Sequence, residues 1–559
     1  MSRPAELSKG QRSAWLQDCM ALVILVALAS ALYVPKLGFY SDDWRNLSDF
    51  SFGADQSLVG LVRSIFDANA RVPESAETGA LARPLQVLYF AALFQLFGLD
   101  PLGYHVVNWL VFVAGICAFY SALCALGADR LFAISVALVY SALPHYSSDR
   151  FWYAAFQANL SMTLYFFSIH ACARLLTSGG TMRAVWIALA ALSLLASALA
   201  YEVFLPLFVF GLLVVAIRQL HLAKTSKTFR VRPGDLATIC LGLPLLIGLV
   251  VYYKLSVTSR AGSLGFWLVN DALSAAFELT LGAYGVKLPH IFQVIFHHYL
   301  DWRILAVSVA STAASWLYLR TVLASSKSQT PAASTLLAIA ASSVVIAGLS
   351  YAYFYGFFQV NTGINNRAAI AASACVALFW VSGLSLALGA VWRRRPGAPF
   401  CFVIAVVYGC GTLIVNTIAT SWIEASRAQA EVMRELRSAW PRPPAGSSVL
   451  LAGVCSWVGP GIVFEIDWDV SGATRLLYRD PTLRGEVLRP WMTVGRDGLR
   501  NGDTLYSYAS LYVYDGRTKT VRVVGDESAA AELLARVEEG DSTGCAGNYK
   551  AFGAGLLIW

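Results

Sequence analysis

Two adjacent carboxylates, Asp42 and Asp43, lie just past the outer end of the first apolar run, in the stretch Phe-Tyr-Ser-Asp-Asp-Trp-Arg-Asn-Leu at 39–47. A carboxylate at a lipid–water boundary can stay ionised and yet be partly desolvated, which makes it a useful general base. The alternative is a hydrated loop in which the two acids cap a short helix. The aromatic neighbours Tyr40 and Trp44 are accessory candidates for the same site.

Further polar residues lie at the ends of apolar runs, where the connecting loops are short. Ionisable groups at membrane depth cost about 2.5–3.5 kcal/mol on insertion scales, so each is a candidate functional group. An arginine there can donate several hydrogen bonds to a phosphate, or it can be an interfacial anchor. An acid there can support a pocket or mark a tight turn. The candidates are Arg83, His145, Arg150, Tyr201, Glu202 and Arg367, and His105 is expected to pack at a helix boundary on the inner side.

The composition indicates a polytopic membrane protein. The 559 residues are 57% hydrophobic and 14% charged, whereas soluble domains carry about 25% charged residues. The mean hydropathy is +0.58. The net charge of +8 comes from short Lys and Arg clusters between apolar runs. No basic face is interleaved with aromatic residues, so nucleic acid is not an expected partner.

The charge pattern predicts the topology. Basic residues precede the first run, so the N-terminus is expected in the cytoplasm, with that run as an uncleaved anchor. The same rule places the loops at 218–232, 320–327 and 393–395 inside, and 41–83, 254–301, 357–367 and everything after Thr420 outside. We expect about eleven crossings and one partial helix. The candidate for the partial helix is 131–143, which is shorter than the roughly 20 residues that a span requires.

The predicted fold class is therefore an all-α membrane protein with a small C-terminal α/β or α+β extracytoplasmic domain. The membrane module covers 1–420, with external loops at 38–83 and 254–301. Residues 421–446 are expected to form an amphipathic helix and a linker, and 447–559 the C-terminal domain, with strands at 448–451, 505–514 and 518–524 and a helix at 528–538.

Most of the ten cysteines lie inside apolar runs and are expected to be small buried side chains. Only Cys455 and Cys545 lie in the polar C-terminal region, where an extracytoplasmic setting would allow them to pair. No Cys/His spacing predicts a zinc site.

The order and spacing of several motifs resemble the GT-C glycosyltransferases, in particular the protein O-mannosyltransferase and aminoarabinose transferase branch. The similarity covers about 19–220 well and 357–373 loosely, and it does not reach the C-terminal domain. The motifs are Phe39 to Trp44, Arg83-Pro84-Leu85 with Leu88-Tyr89, Phe97-Gly98 with Tyr104-His105 and Asn108, Leu143-Pro144-His145 with Trp152, and Tyr201-Glu202 with Leu205-Pro206.

This resemblance implies an inverting hexosyl- or pentosyltransferase that uses a polyprenyl-phosphate sugar as co-substrate. Asp42 would be the base and Asp43 would orient acceptor or donor. Arg83, Arg150 and Arg367 would bind the lipid phosphate, and Glu202 would support the pocket. Phosphate is a good leaving group, so no metal or other cofactor is expected, although a divalent ion is compatible. Near residue 145 the chain reads Pro-His, where relatives often have His-Pro.

The acceptor could be a protein, a glycolipid or a polysaccharide, reached from a bacterial inner membrane. A transporter or flippase for a lipid-linked or anionic substrate is an alternative, because intramembrane charges and broken helices would suit it as well. A lipid-sugar polymerase or ligase on another scaffold would not need the aspartate pair. A non-catalytic cell-envelope assembly protein is a further alternative.

Overall fold

The computed structural model describes residues 9–70, 79–225, 232–257, 267–325, 332–355, 362–391 and 397–540. Most of the described chain is helical. The helices up to the end of the last apolar run are α1 (Lys9–Ser30), α2 (Asp42–Ser51), α3 (Leu58–Ala70), α4 (Gly79–Ala82), α5 (Pro84–Phe97), α6 (Pro101–Ala125), α7 (Arg130–Ala142), α8 (Ser148–Phe151), α9 (Phe156–Thr177), α10 (Thr181–Ala200), α11 (Leu205–Thr225), α12 (Pro233–Ala237), α13 (Leu243–Val257), α14 (Trp267–Phe277), α15 (Leu288–His298), α16 (Trp302–Ser325), α17 (Ala333–Tyr355), α18 (Ile370–Val391) and α19 (Gly397–Ala439).

Shorter helical segments join these helices. The 3₁₀ segments are Val34–Lys36, Pro144–Tyr146, Tyr153–Ala155, Glu202–Phe204 and Ile364–Ala369, and the π-helical ones are Thr238–Gly242 and Glu278–Val286. The predicted external loop at 254–301 is thus largely helical in its described part.

The protein is an integral membrane protein. Within the described residues, eight helical stretches are long and apolar enough to cross a bilayer. The helices α9 and α16 are long enough, with 22 and 24 residues, but have a more polar composition. The short apolar helices are α5 and α7. These apolar helices, together with the small strand-containing C-terminal domain described below, confirm the predicted fold class. The number of crossings stays a prediction.

One group of helix ends meets at the end of the bundle where α1 begins. Asp18, buried in α1, accepts hydrogen bonds from Arg130 at the start of α7 at 2.7 and 2.8 Å, and from Tyr318 near the end of α16 at 2.6 Å. Arg130 also donates to Ser325 at 3.0 Å. By the predicted topology this is the cytoplasmic end.

The opposite end of the bundle, the outer end by the same topology, holds both ends of α5, which corrects two expectations. The first turn of α5 follows Arg83, which pairs with Glu202 at the end of α10. Its last turn meets the start of α6, where His105 Nε2 lies 3.0 Å from the Gly38 carbonyl. His105 is therefore on the outer side, not the inner side. Both ends of α5 thus lie at one end of the bundle, whereas α7 runs from one end to the other, so the bundle favours α5 over 131–143 as the partial helix.

The reason lies in packing rather than in length, because α5 and α7 are both short. Phe90 of α5 packs against Tyr153 with ring centroids 4.4 Å apart, so α5 covers the outer end of the bundle. By contrast, α7 runs from the Asp18 cluster to the outer segment Pro144–Tyr146, and its residues from Leu131 to Ala142 are all buried.

The C-terminal domain is an α/β unit. Its elements are β1 (Ser448–Ala452), β2 (Trp457–Val458), β3 (Gly461–Ile462), α20 (Asp467–Tyr478), β4 (Arg484–Val487), β5 (Thr493–Gly495), β6 (Gly498–Asn501), β7 (Thr504–Ser507), β8 (Leu511–Asp515), β9 (Thr520–Val523) and α21 (Glu527–Gly540). The main sheet has the order β4-β1-β8-β9. Its first three strands are parallel, and β9 is antiparallel to β8. The predicted strands at 448–451 and 518–524 and the helix α21 are present. The predicted run at 505–514 is divided into β7 and β8, which belong to different sheets. The elements from β2 to β6, including α20, were not predicted.

The link between the two parts is helical as far as Ala439. The last span and the predicted amphipathic helix form one continuous helix, α19, of 43 residues. The domain packs on its outer half, where Gln429 donates to the Val463 carbonyl at 2.6 Å and Tyr514 to Glu435 at 2.9 Å. Cys455 is disulfide-bonded, and its expected partner, Cys545, lies outside the described residues.

Candidate active site

The segment that follows α1 is held in place by two other parts of the chain before α2 begins. The Tyr40 hydroxyl donates to the Trp422 carbonyl of α19 at 2.9 Å, and the Tyr40 carbonyl accepts from Trp152 Nε1 at 3.0 Å. Ser41, next in the chain, has φ +48°, a conformation that a non-glycine residue adopts at a cost of about 1–3 kcal/mol. Such strain persists where surrounding contacts determine the backbone, and it sets the direction in which α2 leaves.

Asp43 is the anchor of this segment. It is fully buried, and each carboxylate oxygen accepts a backbone N–H: Oδ2 from Tyr40 at 2.8 Å and Oδ1 from Ala154 at 2.8 Å. Burial raises the pKa of Asp43 well above its usual range, while these two N–H groups lower it. Both oxygens are thus engaged by backbone N–H groups, which fixes the start of α2 against the segment at Ala154. The expected role of Asp43 in orienting acceptor or donor stays a prediction.

Asp42, the first residue of α2, has a different setting. It is half-buried, and its Oδ1 accepts a hydrogen bond from Trp468 Nε1 of the C-terminal domain at 2.8 Å. The accessory candidate Trp44 packs inward instead, with its ring 5.9 Å from that of Phe39. Of the two acids, Asp42 is the one whose exposure allows it to receive a proton from a bound molecule.

A cluster of two cations and one carboxylate lies near the start of α5 and the ends of α10 and α13. Arg83 Nε donates to the two Glu202 oxygens at 3.2 and 2.9 Å. Lys254, near the end of α13, donates to Glu202 at 3.2 Å and to the Ala82 carbonyl at 2.7 Å. The cluster keeps one net positive charge in a partly desolvated position, which favours an anion.

Arg367 joins this cluster to the aspartate segment. Its guanidinium carbon lies 5.0 Å from the centroid of the Trp152 ring, the same indole that donates to Tyr40. The guanidinium carbon of Arg83 lies 4.7 Å from the centroid of the Tyr201 ring. The Tyr201 hydroxyl is close enough to Arg367 and Arg83 to interact electrostatically with both. The structure thus brings Tyr40, Arg83, Glu202 and Arg367 together at the outer end of the bundle.

The structure directs Arg150 elsewhere. Its guanidinium lies against the rings of Phe112 and Tyr146, at 4.8 and 4.9 Å, and donates to the Leu143 carbonyl at 3.0 Å. It lines a small internal cavity together with Tyr33, which follows α1. The structure therefore does not bring Arg150 together with Arg83, because its charged end faces the bundle interior. Its expected role at the lipid phosphate stays a prediction.

His145 is also internal. It is fully buried, and its Nε2 lies 2.9 Å from the Leu279 carbonyl. Burial lowers the pKa of His145 to about 4. The ring is therefore neutral at pH 7, which favours a packing role over proton transfer to a leaving group.

Sequence reasoning missed three residues of the site. In the sequence, Lys254 follows an apolar run and is interpreted as the start of a loop.

Asp149 is the second residue, and the sequence analysis predicts no role for it. It is fully buried, and neither carboxylate oxygen has a hydrogen-bond partner among the described residues. Burial raises the pKa of Asp149, and the charges of Arg367 and Arg150 lower it. Trp468 has no local signal at all, because its contact with Asp42 spans 426 residues.

The arrangement offers a half-exposed carboxylate at one side and a net positive cluster at the other, both at the outer end of the bundle. No group of three or more His, Cys, Asp or Glu side chains suited to a metal ion occurs in the described part of the chain. Metal independence remains a prediction.

No protein-family model matches the chain, and no curated protein matches it. Among solved structures, the chain is similar to the crystal structure of ArnT from Cupriavidus metallidurans bound to undecaprenyl phosphate. The two chains are 13% identical, with 84% of this chain and 85% of that chain covered and a TM-score of 0.34.

Proposed function

We propose that the protein is a membrane glycosyltransferase that moves a sugar from a polyprenyl-phosphate donor to an acceptor hydroxyl at the extracytoplasmic face, with inversion. The observation that carries the proposal is the placement of Asp42 at the same end of the bundle as the cluster of Arg83, Lys254 and Arg367. A general base and a phosphate-binding cluster are the two parts that this chemistry requires.

Asp42 takes the proton of the acceptor hydroxyl as its oxygen attacks the anomeric carbon of the sugar. The new bond from acceptor oxygen to anomeric carbon forms as the bond from anomeric carbon to phosphate oxygen breaks. The electron pair leaves with the phosphate, so polyprenyl phosphate is the second product. Attack opposite the leaving group inverts the anomeric carbon, which requires base and phosphate cluster on opposite sides of the sugar.

The cationic cluster binds the phosphate both before and after the transfer. The negative charge on the leaving oxygen grows during bond breaking, so cations held in advance stabilise the transition state more than the ground state. Glu202 orients Arg83 and Lys254 and limits their mutual repulsion. Arg367, held on the Trp152 ring, adds a guanidinium that can bind phosphate oxygens in a two-point manner.

The proposal is tested by following polyprenyl phosphate release from purified protein in lipid nanodiscs. The donors are polyprenyl-phosphate hexoses and pentoses, each supplied with an envelope lipid and glycan extract as acceptor. We expect release of polyprenyl phosphate with transfer of the labelled sugar for at least one donor. A protein that moves the labelled lipid between leaflets of a vesicle while the sugar–phosphate bond stays intact would be a flippase, and the proposal would be wrong.

A further inference from the structure

The C-terminal domain packs directly on the helix that begins with the two aspartates. At the crossing of α20 and α2, a Cβ atom added to Gly472 would lie 2.4 Å from the Trp44 carbonyl oxygen. Only glycine allows this approach, so the two helices are in backbone contact. Charges across the contact are complementary, since Asp467 of α20 is near Arg45 of α2.

The start of α20 is itself fixed. Asp469 is fully buried and accepts the backbone N–H of Glu465 at 2.7 Å and of Ile466 at 3.1 Å. Trp468 lies between these capped residues and the glycine contact, so its backbone position is determined on both sides. Its side chain is 37% exposed. Its indole N–H points to Asp42 Oδ1 at 2.8 Å, while much of the ring remains at the surface.

An indole N–H is a donor that cannot accept a proton. A donor on a carboxylate oxygen favours the ionised form of the acid, which is the form that acts as a base. Two other carboxylates face Asp42 and have the opposite effect: Asp43 on the same helix and Glu465 before α20. The contact with Trp468 also fixes which oxygen of Asp42 faces the C-terminal domain.

We propose that Trp468 is a positioning residue for Asp42, through which the C-terminal domain becomes part of the active site. The inference rests on the proposed function, because it assigns Asp42 the role of base. The indole N–H orients the carboxylate and keeps it ionised next to two like charges. The domain is accordingly one wall of the site, on the side from which an acceptor approaches from outside the membrane.

The test replaces Trp468 with phenylalanine, which keeps an aromatic ring and removes the N–H. We expect the acidic limb of the pH profile of kcat/KM to move up by about one pH unit, because the Asp42 carboxylate loses a donor. The KM for the donor lipid should stay within about twofold of wild type, since the phosphate cluster is elsewhere. A merely structural role would lower the amount of folded enzyme without moving the acidic limb.

A second variant reaches the same contact without altering either partner. Gly472→Ala pushes α20 away from α2, so the acidic limb should move in the same direction as in Trp468→Phe. Trp491→Phe is the matched control, because Trp491 is an indole of the same domain that is 67% exposed. We expect its profile to match wild type.

The outcomes separate the inference from the function. Active wild-type protein with an unshifted acidic limb in both Trp468→Phe and Gly472→Ala overturns the role of Trp468 and leaves the transferase intact. Wild-type protein that transfers no sugar from any donor overturns the proposed function instead.

Discussion

Asp42 and Asp43 are adjacent in the chain and have opposite surroundings. Asp43 is fully buried with a backbone N–H on each oxygen, whereas Asp42 is half-buried and meets an indole of another domain. Because α2 begins at Asp42, consecutive side chains point about 100° apart, one into the bundle and one along its outer end. In the function that we propose, the pair therefore divides two tasks: Asp43 stabilises the fold and Asp42 is the base.

The buried member should matter chiefly for stability. Asp43→Asn keeps one acceptor oxygen and turns an amide N–H₂ toward the second backbone N–H, so one buried donor loses its partner. We expect a loss of about 1–3 kcal/mol in the free energy of unfolding. Thermal unfolding in detergent measures the loss.

The control for that variant is Asp49→Asn on the same helix. The Asp49 side chain is 22% exposed and contacts Arg45 at 3.9 Å, so its charge is partly solvated. Its removal should change stability by less than about 0.5 kcal/mol. Equal effects of the two variants would contradict the anchoring role of Asp43.

Glu202 should matter for donor binding. Glu202→Gln leaves the cations Arg83 and Lys254 without their counter-charge, so Arg83 loses its fixed orientation. We expect the KM for the donor lipid to rise about tenfold, which corresponds to about 1.4 kcal/mol. Steady-state kinetics with varied donor lipid measures it.

The control for that variant is Glu278→Gln. Glu278 pairs with Lys287 at 3.0 Å and its side chain is 24% exposed, against 23% for Glu202. The two acids thus differ in location rather than in exposure. A donor KM that rises equally in both variants, or in neither, would argue against a phosphate site at the Glu202 cluster.

His145 should make the protein sensitive to acid. Its pKa is about 4 in the folded protein and has an ordinary value of 6.5. Between these values the unfolded chain binds more protons, so stability rises with pH and is lost on acidification, by up to about 3 kcal/mol. His145→Gln removes this loss and can still donate to the Leu279 carbonyl.

The measurement is the fall in Tm between pH 7.5 and pH 5, each about a unit or more from the ordinary histidine pKa, taken for wild type and variant. We expect a smaller fall for His145→Gln. The control is His290→Gln, which replaces an exposed histidine in α15. Its Tm should fall as much as that of wild type. A His145 that is charged at neutral pH would stabilise the folded wild type on acidification, so the Tm of His145→Gln would then fall more than that of wild type, and a role for the ring in proton transfer would reopen.

The fold class follows from local pattern, and the site only partly does. Apolar runs of about 20 residues identify helices irrespective of their partners, so the membrane module was predictable. The position of both ends of α5 at one end of the bundle was not predictable, because it depends on the packing of Phe90 against Tyr153, which is distant in the chain. Length does not distinguish α5 from 131–143, because both helices are shorter than a span.

Charge patterns likewise predict on which membrane face a residue lies, but not in which direction its side chain points. They place Arg83, Glu202 and Arg150 at one end, yet only tertiary contacts show that Arg150 faces the interior. Lys254 is hard to recognise because a lysine after an apolar run is typical of any helix end. The contact of α20 with α2 cannot be predicted from local sequence, because nothing in the sequence around Gly472 indicates that it lies against the backbone of Trp44.

The most direct test of the central claim is the rate of sugar transfer by Asp42→Asn, with Asp43→Asn measured beside it and both corrected for folded protein. The amide that replaces the Asp42 carboxylate cannot take a proton from the acceptor, so we predict a loss of at least about 100-fold in kcat with the donor KM unchanged. The same assay should leave most of the activity in folded Asp43→Asn. Wild-type kcat in Asp42→Asn would contradict the assignment of Asp42 as the base.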